Sequence, residues 1–561
     1  MNKIFSRIFN NNTQNIASAA MLLAAASLAS RFLGMIRERL LVGTFGVGNN
    51  LDAYFAAFQI PNFAFNLLIS ATLSVAFIPV FCEFLDKDKV QAWRIANSVL
   101  NLTIVVMGVL VSVFFVFSPL LMHLISPGFA GEKLSLTVNL TRILLLSPWL
   151  FAISAVFSGI LNSFRSFFLV ALAPLIYNLA IIFGILFLAP FFGIFGVAAG
   201  VVFGALLHLL VQIPGAKKFG FVWQKAIDLK NQGVRNIFKL ILPRIIGIDT
   251  AQISQLVGTI IGSTLMIGSV ALFNLVLNIE YVPIGVFAVS FVVSVFPSLS
   301  HSAARDDKEE FKKDFSYTAR QILFFLVPLA ILTFVFRAQI VRLIIGARNL
   351  SWDETRLAAA TLAVFASSFI FQGIAPLLSR AFFALKNTVI PLIISLVSIV
   401  VNIGSTYLFL NLLSRDEVFT QSLISFLKLD GLSDVRILAL PFGFSLASFF
   451  YAATLFIILR KYYGSLDFGK IFVAFLKYLL AGLAAGVVGY ACLYFIEPFL
   501  NTLTFLGILL QLIFATFFAG VIFVSISLLL KSEEMISLVA AVKRKMWQSV
   551  KFLGISETEE M

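Results

Sequence analysis

The chain has 561 residues, 60% of them hydrophobic and only 12% charged, with a net charge of +14 and a mean hydropathy of +1.01. A soluble protein of this length exposes far more charge, so the composition excludes an ordinary globular enzyme and points to repeated membrane spans. The basic residues sit in short loops between apolar runs, which reads as topology and not as a nucleic-acid-binding stripe, so no nucleic-acid partner is expected.

Apolar runs of roughly 20 residues predict about fourteen spans in an all-α integral membrane protein. The first seven are Ile16–Leu41, Leu51–Leu85, Ile95–Leu120, Leu134–Leu161, Phe167–Ala189, Gly193–Ile213 and Val234–Gly262. The second seven are Ile267–Leu299, Phe315–Ile345, Leu357–Ala384, Val389–Leu413, Ile437–Arg460, Phe472–Phe495 and Leu503–Leu530. An even number puts both termini on one side, and the positive-inside rule makes that side cytoplasmic. Lys3 and Arg7, Lys87 to Arg94, Lys217 to Arg235, Arg305 to Lys313, Lys386, Arg460 to Lys470 and Lys543 to Lys545 then all fall inside. Arg337, Arg342 and Arg348 dissent, on the outer side.

The chain repeats itself weakly. AFIPVFCEFLDKDK in the second span resembles SVFPSLSHSAARDDK in the eighth, with Pro79 matching Pro297. GILNSFRSFFLVALAPLIYN resembles LSRAFFALKNTVIPLIISLV in the same way. Both matches are offset by about six spans, which preserves orientation, and parallel repeats of this kind build two-lobed transporters. The predicted organisation is a six-helix lobe over 1–215, a cytoplasmic linker over 216–235 and a second, pseudo-symmetric six-helix lobe over 236–461. Two added helices over 462–530 and a cytoplasmic tail over 531–561 complete it.

Ionisable groups inside the spans are the candidate site residues, because burying one in a bilayer costs a few kcal/mol at least. Arg31 and Arg37 of the first span lie about 120° apart around the helix and about 9 Å apart along it. They suit a grip on separate phosphates of a pyrophosphate, with snorkelling to the interface as the alternative. Arg39, nearer the outer end, suits snorkelling better. Glu38 and Asp52 flank the first outer turn and are expected to pair with Arg37 or Arg39, as a gate or as an interfacial ion pair. Asp249 lies about one and a half turns beyond Arg244 in the seventh span and is a candidate coupling carboxylate or a partner of Arg244. Asn278 and Glu280 precede Pro283 and Gly285 in the eighth span, where broken helices form sites; Glu280 is a candidate ligand or gate.

Cys82 and Cys492, and His123, His208 and His301, are scattered, so neither a disulfide framework, a metal site nor a catalytic triad is predicted. Walker A, HExxH and GxSxG motifs are lacking, so no enzyme and no cofactor are expected. Energy for transport is then expected from an ion gradient, the membrane potential or a downhill substrate.

Three stretches resemble the MurJ/MviN family of the MOP exporter superfamily: ASRFLGMIRE (Ala29 to Glu38), FGVGNNLDAYFAAFQIPN (Phe45 to Asn62) and SVAFIPVF (Ser74 to Phe81). VPIGVFAVSFVVSVFPSLS (Val282 to Ser300) is similar to the family's eighth helix. The resemblance implies a flippase that carries lipid II, the undecaprenyl-pyrophosphate-linked peptidoglycan precursor, from the inner to the outer leaflet of a bacterial cytoplasmic membrane by alternating access. It also implies that Arg31 and Arg37 line the cavity that holds the pyrophosphate, and that the two C-terminal helices form a groove for the lipid tail. Glu38 takes the place of a frequent aspartate, and Asp52 matches an acidic position of the family.

The chain departs from the family pattern at Phe65, Asn66, Ile69, Ser70 and Ala71, where a basic pair and a Glu-Gly segment are common. Asn278 replaces a cavity arginine, and Gly258 stands where some members carry a carboxylate. The less cationic pattern keeps two other readings open. One is an exporter of another polyprenyl-linked oligosaccharide or an amphipathic drug. The other is a non-transporting scaffold that recruits wall-synthesis enzymes. A cavity within one chain needs no second copy, so a monomer in contact with membrane lipid is expected.

Overall fold

The computed structural model describes residues 16–66, 73–225, 227–245, 250–464, 466–540 and 543, and among them every regular element is helical. Ten of these helices are long and apolar enough to cross a membrane, or eleven if Trp352–Ala366 and Phe369–Ala384, bent by 43°, count as one broken span. The expected fourteen are therefore not reached on this measure. The first expected span carries Arg31, Arg37, Glu38 and Arg39, while the second and seventh include residues 67–72 and 246–249, which lie outside the described set. The chain divides into two compact units, Met1–Leu275 with Ile344–Glu354 and Val276–Leu343 with Thr355–Met561.

In the first unit the helix Phe167–Phe183 packs against both Ile16–Phe45 and Ile194–Leu210. Lipid offers no hydrophobic drive for helices to associate, so close backbone approach at small residues must supply the contact. Gly184 and Gly200 show it: a Cβ added to Gly200 would lie 2.8 Å from the Gly184 Cα. A second cluster joins Leu73–Lys87 and Lys89–Ile125 to Leu146–Ser163 around buried Phe77, Phe81 and Ile95. Phe77 stacks on Phe81 with ring centroids 5.1 Å apart, and Phe81 meets Trp93 edge-on.

The segment expected to link the lobes is fastened to the polar face of Lys89–Ile125. The Asn97 side chain donates to the Val222 carbonyl at 3.0 Å and accepts from the Gln224 N–H at 2.8 Å. Asn101 donates to the Gln224 carbonyl at 2.7 Å and accepts from the Trp223 indole at 3.0 Å, and the Ser98 hydroxyl accepts from the Asp228 N–H. Three polar residues of this helix thus satisfy an irregular backbone that has no ladder of its own.

In the second unit Val389–Arg415 packs along Ala439–Tyr463, and Lys308–Val335 lies against Phe468–Ile496, which in turn pairs with Phe505–Leu529. The small face of Phe468–Ile496 allows that approach: a Cβ on Gly482 would come within 2.8 Å of Ile331. Below it, Arg320 bridges Glu533 and Glu534, each at 2.7 Å, and the buried Tyr478 hydroxyl donates to Glu534. The hydrogen bond from Arg320 holds the Glu533 carboxyl below the usual carboxylate range.

Candidate functional site

The candidate residues of the first unit begin on the helix Ile16–Phe45, an Ala- and Leu-rich run with no proline. Arg31 is half-buried and makes no hydrogen bond or ion pair among the described residues. Arg37 is engaged on both terminal nitrogens. One Nη donates to the Asn178 Oδ1 at 3.1 Å, and the other reaches the Glu38 Oε1 at 2.5 Å. Asn178 is itself held by donating to the Ser30 hydroxyl, the Ser30 carbonyl and the Pro174 carbonyl. Arg37 is thus a clamp between Ile16–Phe45 and Phe167–Phe183, whereas Arg31 has a guanidinium to offer. The expected partner of Glu38 is found in Arg37. Arg39 is half-buried nearer the end of the helix.

Asp52 does not share that cluster. It stands in the first turn of Asn49–Ala57, is 1% exposed, and binds Lys133 Nζ at 2.7 Å. The backbone N–H groups of Gly268 and Ala271 donate to its two oxygens at 2.8 Å each. Those donors belong to the start of the helix Ser269–Pro283, where the unsatisfied N–H groups and the helix dipole favour an anion. Two further contacts reinforce the same region: Gln59 donates to the Thr259 hydroxyl at 3.0 Å, and the Gly128 N–H donates to Ser263. Asp52 is therefore a fully partnered carboxylate that ties three segments of this unit together.

Gly258 is fixed by packing. A Cβ there would fall 2.3 Å from the Phe273 ring, so a larger side chain at this position requires that ring to move. Phe65, one of the residues at the missing basic pair, lines a cavity of about 480 Å³ with Phe58, Asn62, Phe151, Tyr177 and His208. It meets Phe151 edge-on, with centroids 5.7 Å apart. In and beside that wall His208, Ser154, Gln212 and Ser158 share a chain of hydrogen bonds of 2.6–2.8 Å. Asp249 and residues 69–71 lie outside the described residues.

In the second unit Asn278 and Glu280 take opposite sides of Ser269–Pro283, as two residues at a helical pitch must. Asn278 is exposed, while Glu280 is 0% exposed. The Glu280 Oε1 accepts from the Ser368 hydroxyl at 2.7 Å and from the Gln372 amide; its Oε2 is buried without a hydrogen-bond partner among the described residues. Ser368 falls in the break between Trp352–Ala366 and Phe369–Ala384, and a π-helical turn, Ile284–Ala288, follows Pro283.

Asn178, Lys133, Ser368 and Gln372 complete these clusters and were not singled out from the sequence. Each but Lys133 is a neutral polar residue within an apolar run, a signal present in the sequence but outweighed there by the charges. Arg142 and Arg380 are accounted for locally, the first by Ser118 and the Phe115 ring, the second by the Phe296 ring.

Long apolar helices in two units, with buried ionisable groups on some of them, define a multi-pass membrane protein. The family model for lipid II flippase MurJ matches residues 41–515. The chain belongs to the MurJ family of lipid II flippases. It is 29% identical over 393 residues to the probable lipid II flippase MurJ of Buchnera aphidicola subsp. Acyrthosiphon pisum (strain APS), spanning 69% of this chain and 77% of that protein. It is 26% identical over 410 residues to the lipid II flippase MurJ of Burkholderia cenocepacia, spanning 72% and 80%. Among solved structures, a lipid II flippase MurJ in an inward closed conformation superposes with a TM-score of 0.71 at 24% identity, over 92% of this chain and all of that one. An inward-facing MATE family transporter of the MOP superfamily gives 0.58 at 14% identity, over 80% of this chain and 99% of that one. These two likenesses establish the all-α MOP-type fold.

Proposed function

We propose that this chain flips lipid II from the inner to the outer leaflet of a bacterial cytoplasmic membrane by alternating access, acting as a monomer with both termini in the cytoplasm. Membership of the family over residues 41–515 is the observation that carries the reading. The charge pattern of the loops supports the orientation. Within the first helix, Arg31 is the guanidinium assigned to the pyrophosphate, because it is half-buried and has no partner among the described residues, while Arg37 is spent on Glu38 and Asn178. Guanidinium suits that ligand through paired N–H donors at fixed geometry. Asp52 is assigned to the gate because its contacts with Lys133, Gly268 and Ala271 tie together three segments of the first unit. Contact with wall-synthesis enzymes is assigned to the cytoplasmic segments and tail.

The test is complementation of a cell depleted of its own lipid II flippase, with wild type and Arg31→Ala side by side. Wild type is expected to restore growth. Arg31→Ala is expected to fail at equal membrane abundance, a loss of at least about tenfold in transport for a charge-assisted contact worth about 1.5–3 kcal/mol. If abundant wild type does not restore growth, the lipid II reading falls. The aromatic lining at Phe65 and the neutral Asn278 then favour another polyprenyl-linked oligosaccharide.

A further inference from the structure

Glu280 is a carboxyl group with nowhere to put a charge. It is fully buried, one oxygen accepts from Ser368 and Gln372, and the other has no hydrogen-bond partner among the described residues. The groups that touch it among the described residues are neutral. Ser368 and Gln372 come from the broken pair Trp352–Ala366 and Phe369–Ala384. The helix Lys308–Val335, packed on the adjoining π turn, presents Ile322 and Leu326 beside Gly373 and stacks Phe325 on Phe287. No charged side chain interacts with the carboxyl among the described residues. An isolated ionised carboxylate in such surroundings costs many kcal/mol, so a proton or a cation must accompany it. Oε2 has no hydrogen-bond partner, and no group of three or more His, Cys, Asp or Glu side chains that could hold a metal ion occurs among the described residues, so the proton is the cation taken to accompany this carboxyl.

The backbone around it is irregular. Glu280 lies just ahead of Pro283 and a π-helical turn, and its partner Ser368 sits in a 43° break. Irregular turns of this kind recur at functional sites in helices and leave backbone groups that water can satisfy.

We propose that Glu280, with Ser368 and Gln372, is a proton-binding site within the second unit, loaded in the packed state described above and emptied when the two broken helices part and admit water. The exchange is R–COOH + H2O → R–COO⁻ + H3O⁺, with water as the acceptor and the reverse step reloading the site. It ties a proton to the transport cycle, and in that respect it rests on the reading of the chain as a transporter.

The test uses the full chain in lipid nanodiscs and in proteoliposomes. Infrared difference spectra across a pH titration should show a protonated-carboxyl band in wild type that is lost in Glu280→Gln and shifted in Ser368→Ala, which removes one hydrogen-bond donor. A band that is the same in all three proteins overturns the proposal, and the milder Ser368→Ala keeps the test open if Glu280→Gln folds poorly. In proteoliposomes, translocation of fluorescent lipid II by wild type should change several-fold when a pH gradient is imposed, and Glu280→Gln should lose that response. A wild type indifferent to the gradient, or a Glu280→Gln variant that keeps the response, also overturns it. If the band behaves as expected but wild type moves no lipid II, the proton site stands and the substrate assignment fails.

Discussion

Two carboxyl groups, one in each unit, are almost equally hidden from solvent, Asp52 at 1% and Glu280 at 0% exposure, yet their surroundings are opposite. Asp52 meets a lysine and two backbone N–H groups at a helix start, so an ionised carboxylate there has a cation and donors on both oxygens. Glu280 meets one hydroxyl and one amide, both on the same oxygen. Burial alone does not say what an acid does: the partners decide whether it fastens segments as an anion or holds a proton that can leave.

The largest effect that tests this contrast is Asp52→Ala. It leaves Lys133 and two N–H groups without their acceptor in a dry setting, and breaking a buried pair from one side costs about 3–5 kcal/mol. Chemical or thermal unfolding of the purified protein in lipid measures it. A loss below about 1 kcal/mol would show that Asp52 is merely accommodated, and the contrast with Glu280 would collapse.

Lys133→Met is the intermediate case. It removes the cation but leaves the Gly268 and Ala271 donors, which makes Asp52 resemble Glu280 more closely. Lys133 is 17% exposed, so water relieves part of the deficit, and a loss of about 1.5–3 kcal/mol is expected for one charged hydrogen bond. Unfolding of Asp52→Asn with and without Lys133→Met completes a cycle. A coupling near zero between the two positions would mean that the backbone N–H groups alone hold the carboxylate.

How much of this was open to sequence reading follows from distance along the chain. The all-α class, the apolar spans and the arginines of the first helix are local properties, and periodicity and charge reveal them. The partners are not local. Asp52 finds Lys133 81 residues away, Arg37 finds Asn178 across 141, and Glu280 finds Ser368 across 88. The sequence offered Arg37 and Arg39 as partners for Asp52 because they were near and basic; the fold supplies Lys133 from a helix that the charge pattern had no reason to single out. Arg37 looked as available as Arg31 for the same reason, since nothing local marks Asn178 as its acceptor. Asn278 and Glu280 looked like one site by proximity, and the helical pitch sets them on opposite sides.

The smallest expected effect belongs to Glu280→Gln. A glutamine keeps the shape of a protonated glutamate, and its carbonyl can accept from Ser368 and Gln372 as Oε1 does now. If the acid already carries a proton, the exchange swaps one neutral group for another, and stability should change by less than about 1 kcal/mol, the scale of a single hydrogen bond. If the acid were ionised and held by partners as Asp52 is, the same substitution would remove a charge those partners depend on and cost about 3 kcal/mol or more. Unfolding at neutral pH separates the two cases. The near-silence of Glu280→Gln beside the loss in Asp52→Ala is what assigns the first acid to proton traffic and the second to holding the helices together.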